Sequence, residues 1–367
     1  MTASNRYARA TAALACLSAL VHLHPSEASR APLETTEGVA TDADVTTAEW
    51  PEGFSPGLWL TSVVKTAPGY AEMEGKTGML FSHPGVAETV LYVSPEEAPD
   101  EILAAALLTL VEGTTREDGT AAVYLSTRAT NDDPFAAFLA SDRCLSVALA
   151  DRDGVETAHV LVKANVTSLD DCPSPPVPSD FDDDGAALDL EALGADGAVL
   201  ARRPGADLAA TWPDDIPGAW SGEILSGNAL GDVDPGVTAT VYFFAHQGYA
   251  PNAWLFIDPD DPTRVVDANV GRFAGTAEAS GGGPAWRNDA YKRIPGTAGV
   301  SGALAWCNAM VVSGDAAVSF SNGADAEDRA EATCPKSPRA EMFEGELDED
   351  LLEENDAASM ESMRRLG

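Results

Sequence analysis

Apolar positions along the chain fall in short runs, broken by Gly, Pro or Asp, and rich in Val, Thr, Tyr, Phe and Trp. That pattern predicts β-strands joined by tight turns. In the first half the runs cover 57–64, 77–82, 89–94, 121–127, 144–150 and 159–166. In the second they cover 219–225, 238–246, 253–258, 304–313 and 316–321. Their spacing is that of an antiparallel β sandwich or barrel. One run departs from the pattern. PDEILAAALLTLVE at 99–112 places Ala and Leu at helical spacing behind an acidic first turn, which predicts one short helix in the first half. The second half has a loop around Gly281, Gly282 and Gly283 instead.

The two halves are copies of one another. Trp50-Pro51 recurs as Trp212-Pro213, 162 positions on, and Gly57-Leu58-Trp59 as Gly218-Ala219-Trp220 at 161. Phe81-Ser82-His83-Pro84-Gly85 recurs as Phe244-Ala245-His246-Gln247-Gly248 at 163. Leu91-Tyr92-Val93-Ser94-Pro95 aligns with Leu255-Phe256-Ile257-Asp258-Pro259 at 164, and Cys144 with Cys307 at 163. Collinear blocks with so little drift mark a tandem duplication. The fold class expected is therefore mainly all-β: two tandem repeats of a disulfide-stapled antiparallel β sandwich or barrel module. One short helix in repeat 1 and an acidic C-terminal helix or disordered tail complete it.

Composition sets the surroundings. The 22 Lys and Arg stand against 59 Asp and Glu, a formal charge of −37. A chain so acidic lacks the clustered cations that phosphate contact requires, so nucleic acid is excluded as a partner. Residues 1–28 read as a signal peptide: Arg6 and Arg9 precede an apolar run at 10–23, and small residues stand near Ala28. Cys16, after Leu14-Ala15, is an alternative lipid-anchor site. No stretch reaches the ~20 apolar residues of a transmembrane helix. The expected location is secreted, periplasmic or at the cell surface. The domain plan has a flexible segment at 29–48, repeat 1 at 49–176 and a Pro- and Asp-rich linker at 177–210. Repeat 2 follows at 211–339, and an acidic tail of ten acids at 340–367. The PSPPVP stretch that leads into the linker is prone to polyproline structure and would hold the modules apart.

Export leaves four cysteines, Cys144, Cys172, Cys307 and Cys334. An even count in an exported chain favours disulfides, and no Cys-x-x-Cys pair argues for zinc. Because the duplication places one pair in each repeat at nearly equal spacing, the pairing expected is Cys144 with Cys172 and Cys307 with Cys334.

One sequence motif points to an ion. Asp180-Phe181-Asp182-Asp183-Asp184-Gly185-Ala186-Ala187-Leu188-Asp189-Leu190-Glu191 satisfies D-x-D-x-D-G-x5-E. Over these 12 residues it resembles an EF-hand calcium loop. That resemblance assigns Asp180, Asp182, Asp184, the Ala186 carbonyl and Glu191 to Ca²⁺, with Gly185 at the sharp turn. The Pro-rich approach supplies no incoming helix, and the alternative is a solvated acidic linker.

Two duplicated features could hold a ligand or serve the core. His83 and His246 stand where a strand gives way to a turn, a structural position, with metal or proton chemistry as the alternative. Trp59 and Trp220 begin a first strand in a Gly-x-Trp setting that resembles small β-barrels of the lipocalin and avidin type. The resemblance implies a Trp plugging one end of a ligand-holding barrel; a core anchor is the simpler role. No nucleophile elbow, His-Glu-x-x-His or phosphate loop is present. The function expected is an exported binding or interaction protein with a protein or glycan partner and Ca²⁺ as the only cofactor. The alternative is a secreted, glycan-active hydrolase with carboxylates in a cleft between the modules.

Overall fold

The computed structural model describes residues 57–94, 102–112, 114–115, 120–130, 142–152, 155–177, 181, 187–205, 212–227, 239–278, 284–288, 304–325, 334–336, 351, 354 and 359–366. Barrel 1 consists of β1 (Gly57–Thr66), β2 (Thr77–Ser82), β3 (Glu88–Ser94), β4 (Ala104–Leu110), β5 (Ala121–Ala129), β6 (Cys144–Arg152), β7 (Val155–Lys163) and β8 (Gly197–Arg202). Barrel 2 consists of β9 (Gly218–Gly227), β10 (Ala239–Ala245), β11 (Pro251–Ile257), β12 (Val265–Glu278), β13 (Pro284–Asn288), β14 (Leu304–Ser313), β15 (Ala316–Asp325) and β16 (Ser359–Arg365). Within each barrel every strand pairs antiparallel with the next, and the eighth closes on the first.

Each barrel has its own core, and the two share a third. Trp59, Val63, Leu91, Val93, Ala106, Leu108, Tyr124, Val147 and Val160 point into barrel 1. Trp220, Val241, Phe243, Trp254, Phe256 and Phe273 fill barrel 2. The outward side chains of β1–β4, among them Leu58, Phe81, Val90, Tyr92 and Leu107, pack on Tyr242, Phe244, Leu255, Ile257 and Val265 of barrel 2. Burial of this apolar seam, at roughly 25 cal/mol per Å², fixes the barrels to each other. The Pro-rich linker is thus no spacer, which corrects the expectation that it holds the modules apart. Polar anchors add direction to the seam. The Tyr92 hydroxyl donates to the Trp254 carbonyl at 3.0 Å, and Arg128 Nε to the Pro262 carbonyl at 2.9 Å.

Double burial accounts for the misplaced helix. Residues 104–110 are β4, a strand. Ala104, Ala106 and Leu108 face the barrel interior, while Ala105 and Leu107 face the seam. A strand covered on both faces loses its polar alternation and reads as a continuous apolar run. The short helix of repeat 1 lies elsewhere, as a 3-10 turn at Pro68–Met73 that packs Tyr70 and Met73 against the barrel 1 core. The second copy is a strand at the same place, since Ala105 and Leu107 of β4 correspond to Ala268 and Val270 of β12 in the seam.

Two boundaries and one register also move. The linker span 177–210 contains β8, which pairs with β1 and β7 and closes barrel 1. The tail span 340–367 contains β16, which closes barrel 2; before it, Leu351 and Glu354 are helical. The ladders align Val90 with Ala253, because each stands opposite its copy's Phe, Phe81 or Phe244. The offset there is 163 rather than 164, so Tyr92 matches Leu255 and not Phe256. A one-residue slip exchanges the two faces of a strand, and Tyr92 lies in the seam whereas Phe256 lies inside barrel 2.

Candidate functional site

In each barrel an arginine lies over the duplicated tryptophan. The Arg203 guanidinium carbon is 4.1 Å from the Trp59 ring centre, and that of Arg365 is 4.2 Å from the Trp220 ring centre. Arg203 follows β8 and Arg365 ends β16, so each closing strand delivers a cation onto the first strand of its own barrel. The Gly of Gly-x-Trp follows from this stack. A Cβ at Gly57 would fall on the Arg203 guanidinium, and one at Gly218 on that of Arg365. Sequence reading missed both arginines, although they recur 162 positions apart, within the drift of the duplication.

The interiors beside these stacks are packed. In barrel 1, Trp59, Thr89, Leu108, Tyr124, Val147 and Val160 surround a cavity of about 20 Å³, room for about one water. Trp59 Nε1 and Thr89 Oγ1 are buried there without a hydrogen-bond partner among the described residues. Burial also raises the Tyr124 hydroxyl well above its usual range. In barrel 2 the Trp220 indole donates to the Ile216 carbonyl at 2.9 Å. The Leu80, Leu91, Val93 and Leu110 positions of barrel 1 become Phe243, Trp254, Phe256 and Phe273 in barrel 2. Trp212 stacks on Phe273 at 4.3 Å and Phe243 lies 4.4 Å from Trp254. The barrel 1 cavity is far below the 300–1,000 Å³ or so of a small-molecule chamber. Trp59 and Trp220 are both fully buried among the core residues of their barrels.

The duplicated histidines meet. His83 and His246 stack with ring centres 4.0 Å apart and planes 12° from parallel, across the seam. His83 Nε2 bonds the Ala245 carbonyl at 2.9 Å, while His246 is buried with no partner for its Nε2 among the described residues. Desolvation, offset in part by that bond and reinforced by Arg365, pushes His83 down to about 4. Desolvation first, then His83 and Arg203, holds His246 well below its ordinary value.

Of the Asp-rich motif, Asp180, Asp182, Asp184 and Ala186 lie outside the described residues; Glu191 is exposed. The residues around them bind the segment to barrel 1. Phe181, Leu188 and Leu190 pack on Leu161 and Ala198, and the Phe181 ring stacks 4.4 Å from buried His159. Between this segment and the barrel rim lies a pocket of about 550 Å³. Lys65, Lys163, Pro68, Leu188, Leu190 and Glu191 line it, together with Asp189 and Asp196. Two of the chain's five lysines therefore converge on one opening in a protein of charge −37. The Lys65 ammonium donates to the Leu188 carbonyl, and Lys163 stands 3.5 Å from Asp196. Asp196 and Asp189 carboxylates are engaged by backbone amides, from Ala164 at 2.9 Å and Ala192 at 3.1 Å. Neither lysine carried a signal in the sequence beyond the rarity of lysine in this chain.

Disulfides join Cys144 to Cys172 and Cys307 to Cys334, with Cα atoms 5.7 and 4.9 Å apart. Each bond stays within its repeat, as the duplication predicts. Together these features define a two-module antiparallel β-barrel protein with a pocket at the rim of barrel 1. No protein-family model and no curated protein matches the chain. A solved structure of a protein of unknown function, from the DUF3598 family in Nostoc punctiforme, is 9% identical. It covers 84% of this chain and 94% of its own length, at a TM-score of 0.18. Among the described residues no helix is long and apolar enough to cross a membrane, and the two disulfides are compatible with an extracellular location.

Proposed function

We propose that the chain is an exported binding protein whose ligand site is the pocket between the Asp-rich segment and the rim of barrel 1. The observation that carries this reading is the pocket itself: about 550 Å³, with Lys65 and Lys163 facing Asp189, Glu191 and Asp196 across an apolar floor that includes Pro68, Leu188 and Leu190. Its size is that of a small-ligand site. Two ammonium groups and three carboxylates line the opening, so its chemistry is of mixed sign. The fitting partner is a glycan or peptide that presents both an ammonium and a carboxylate on an apolar body. The N-terminal export pattern and the two disulfides support the exported location. The hydrolase alternative requires a cleft between the modules, and the facing surfaces of the barrels are packed against each other.

6-Aminohexanoate, with an ammonium and a carboxylate at the ends of an alkyl chain, is a minimal probe. Calorimetry on the full chain should show saturable binding with a Kd of about 1 mM, equivalent to about −4 kcal/mol. A Lys65→Met, Lys163→Met double variant keeps the length of both side chains and should lose the binding at least tenfold. Equal heats from the two proteins would remove this site from the reading.

A further inference from the structure

We infer that the His83–His246 stack is an acid-sensitive latch on the seam between the barrels, so that a proton on either ring parts the seam while each barrel stays closed. The two rings are equivalent positions of the duplication, and each stands at the end of the second strand of its barrel, so the latch is built from both copies at once. Phe81 flanks the pair at 6.3 Å from His246, and Phe244 at 6.2 Å from His83, which makes a four-ring column through the seam. The apolar seam residues around this column solvate a neutral imidazole and penalise an imidazolium.

The surrounding charges act in the same direction. The charges that bear on the pair are Arg365 on His83, and His83 and Arg203 on His246, with Arg203 itself paired to Glu156 at 3.1 Å. Tyr92 and Tyr242 face the seam with their hydroxyls bonded, to the Trp254 carbonyl and to Arg128. A first proton therefore adds a positive charge beside the Arg365 guanidinium and the Arg203–Glu156 pair in a medium of low dielectric. The sign follows from linkage. Both rings have their folded values lowered from 6.5, so the closed seam binds fewer protons than the open one. Its stability is complete above pH 6.5 and falls as the pH drops toward about 4, where His83 titrates.

Among the described residues, the apolar clusters inside the barrels contain no histidine, the buried His159 stacks outside them on Phe181, and one disulfide staples each barrel. The seam should open first.

Hydrogen exchange on the full chain, corrected for intrinsic rates and run from pH 7 to 4.5, tests this without any variant. The lower end of this window meets the ordinary carboxylate values of about 3.9 to 4.3, and the His83→Phe, His246→Phe variant controls for carboxylate protonation. The seam amide of Ala129, which donates across to the Thr263 carbonyl at 3.0 Å, should lose at least tenfold of its protection, while the barrel amides of β2, β3, β10 and β11, bonded within their own ladders, keep theirs. Small-angle scattering should show the radius of gyration rising over the same interval. A His83→Phe, His246→Phe variant retains the ring column and should hold its protection down to pH 4.5. The latch is refuted if seam and barrel amides lose protection together, if neither loses any, or if the Phe variant opens at the same pH as the parent.

Discussion

Gly78 stands opposite Val93 on β3, and a Cβ built on it would meet the Tyr92 carbonyl and the Thr61 side chain. Gly222 has the same relation to Ser362 on β16, so each barrel needs a bare residue where its first strands turn closely past a neighbour. Gly78→Ala should destabilise the protein by about 2–3 kcal/mol, because a backbone carbonyl cannot step aside as a side chain can. Gly69→Ala, in open space on the 3-10 turn, should stay within about 0.5 kcal/mol. Chemical denaturation of the two variants checks the contrast; equal midpoints would mean that β2 and β3 do not approach so closely. At this scale the sequence was partly legible. Gly57 and Trp59 recur beside Gly218 and Trp220, and the repetition exposed them. Arg203 and Arg365 complete the same unit, yet they lie far from the tryptophans in sequence. Only strand closure brings each arginine onto its ring.

Among the elements, the difference between β4 and its neighbours shows what a pattern can carry. β7 is buried on both sides as well, against the barrel core through Val160 and the Asp-rich segment through Leu161, but its β-branched residues still marked a strand. β4 has Ala and Leu in those places, residues of high helix propensity, so local preference and tertiary context disagree and the context prevails. β8 and β16 were hidden for another reason. Each is separated from its barrel by a long acidic insertion, which made linker and tail seem the natural reading. The disulfides are the elements whose placement the duplication foretold. Each closes a loop spanning 28 or 27 positions. On the chain-entropy account, removing one by a Cys144→Ala, Cys172→Ala double substitution should cost about 3–4 kcal/mol, or about 10 °C in Tm. Calorimetric melting would show it; an unchanged Tm would imply that the reduced, unfolded chain is already constrained there.

For the whole molecule, the seam changes what a bound ion can do. An Asp-rich segment between free modules would act as a hinge, drawn in by Ca²⁺ and extended without it. Here the segment is fastened to barrel 1 through Phe181, Leu188 and Leu190, and the barrels are fastened to each other through Phe81, Tyr92, Phe244 and Leu255. We propose that Ca²⁺, held by Asp180, Asp182, Asp184, the Ala186 carbonyl and Glu191, orders the rim of barrel 1 and leaves the barrels in place. A loop without an incoming helix should bind at about 10⁻⁴–10⁻³ M, as extracellular sites do. Calorimetry at about 0.15 M salt, where diffuse attraction is screened beyond roughly 8 Å, separates the site from the acidic atmosphere of the chain. The parent should show a saturable component that an Asp180→Ala, Asp184→Ala, Glu191→Ala variant lacks; identical titrations would leave the segment a charged strap and no more. Scattering at pH 7 should give the same radius of gyration with Ca²⁺ as without, because the seam and not the linker sets the arrangement of the barrels. A shift of several ångströms on adding Ca²⁺ would mean that the linker commands the modules and that the apolar seam yields to it.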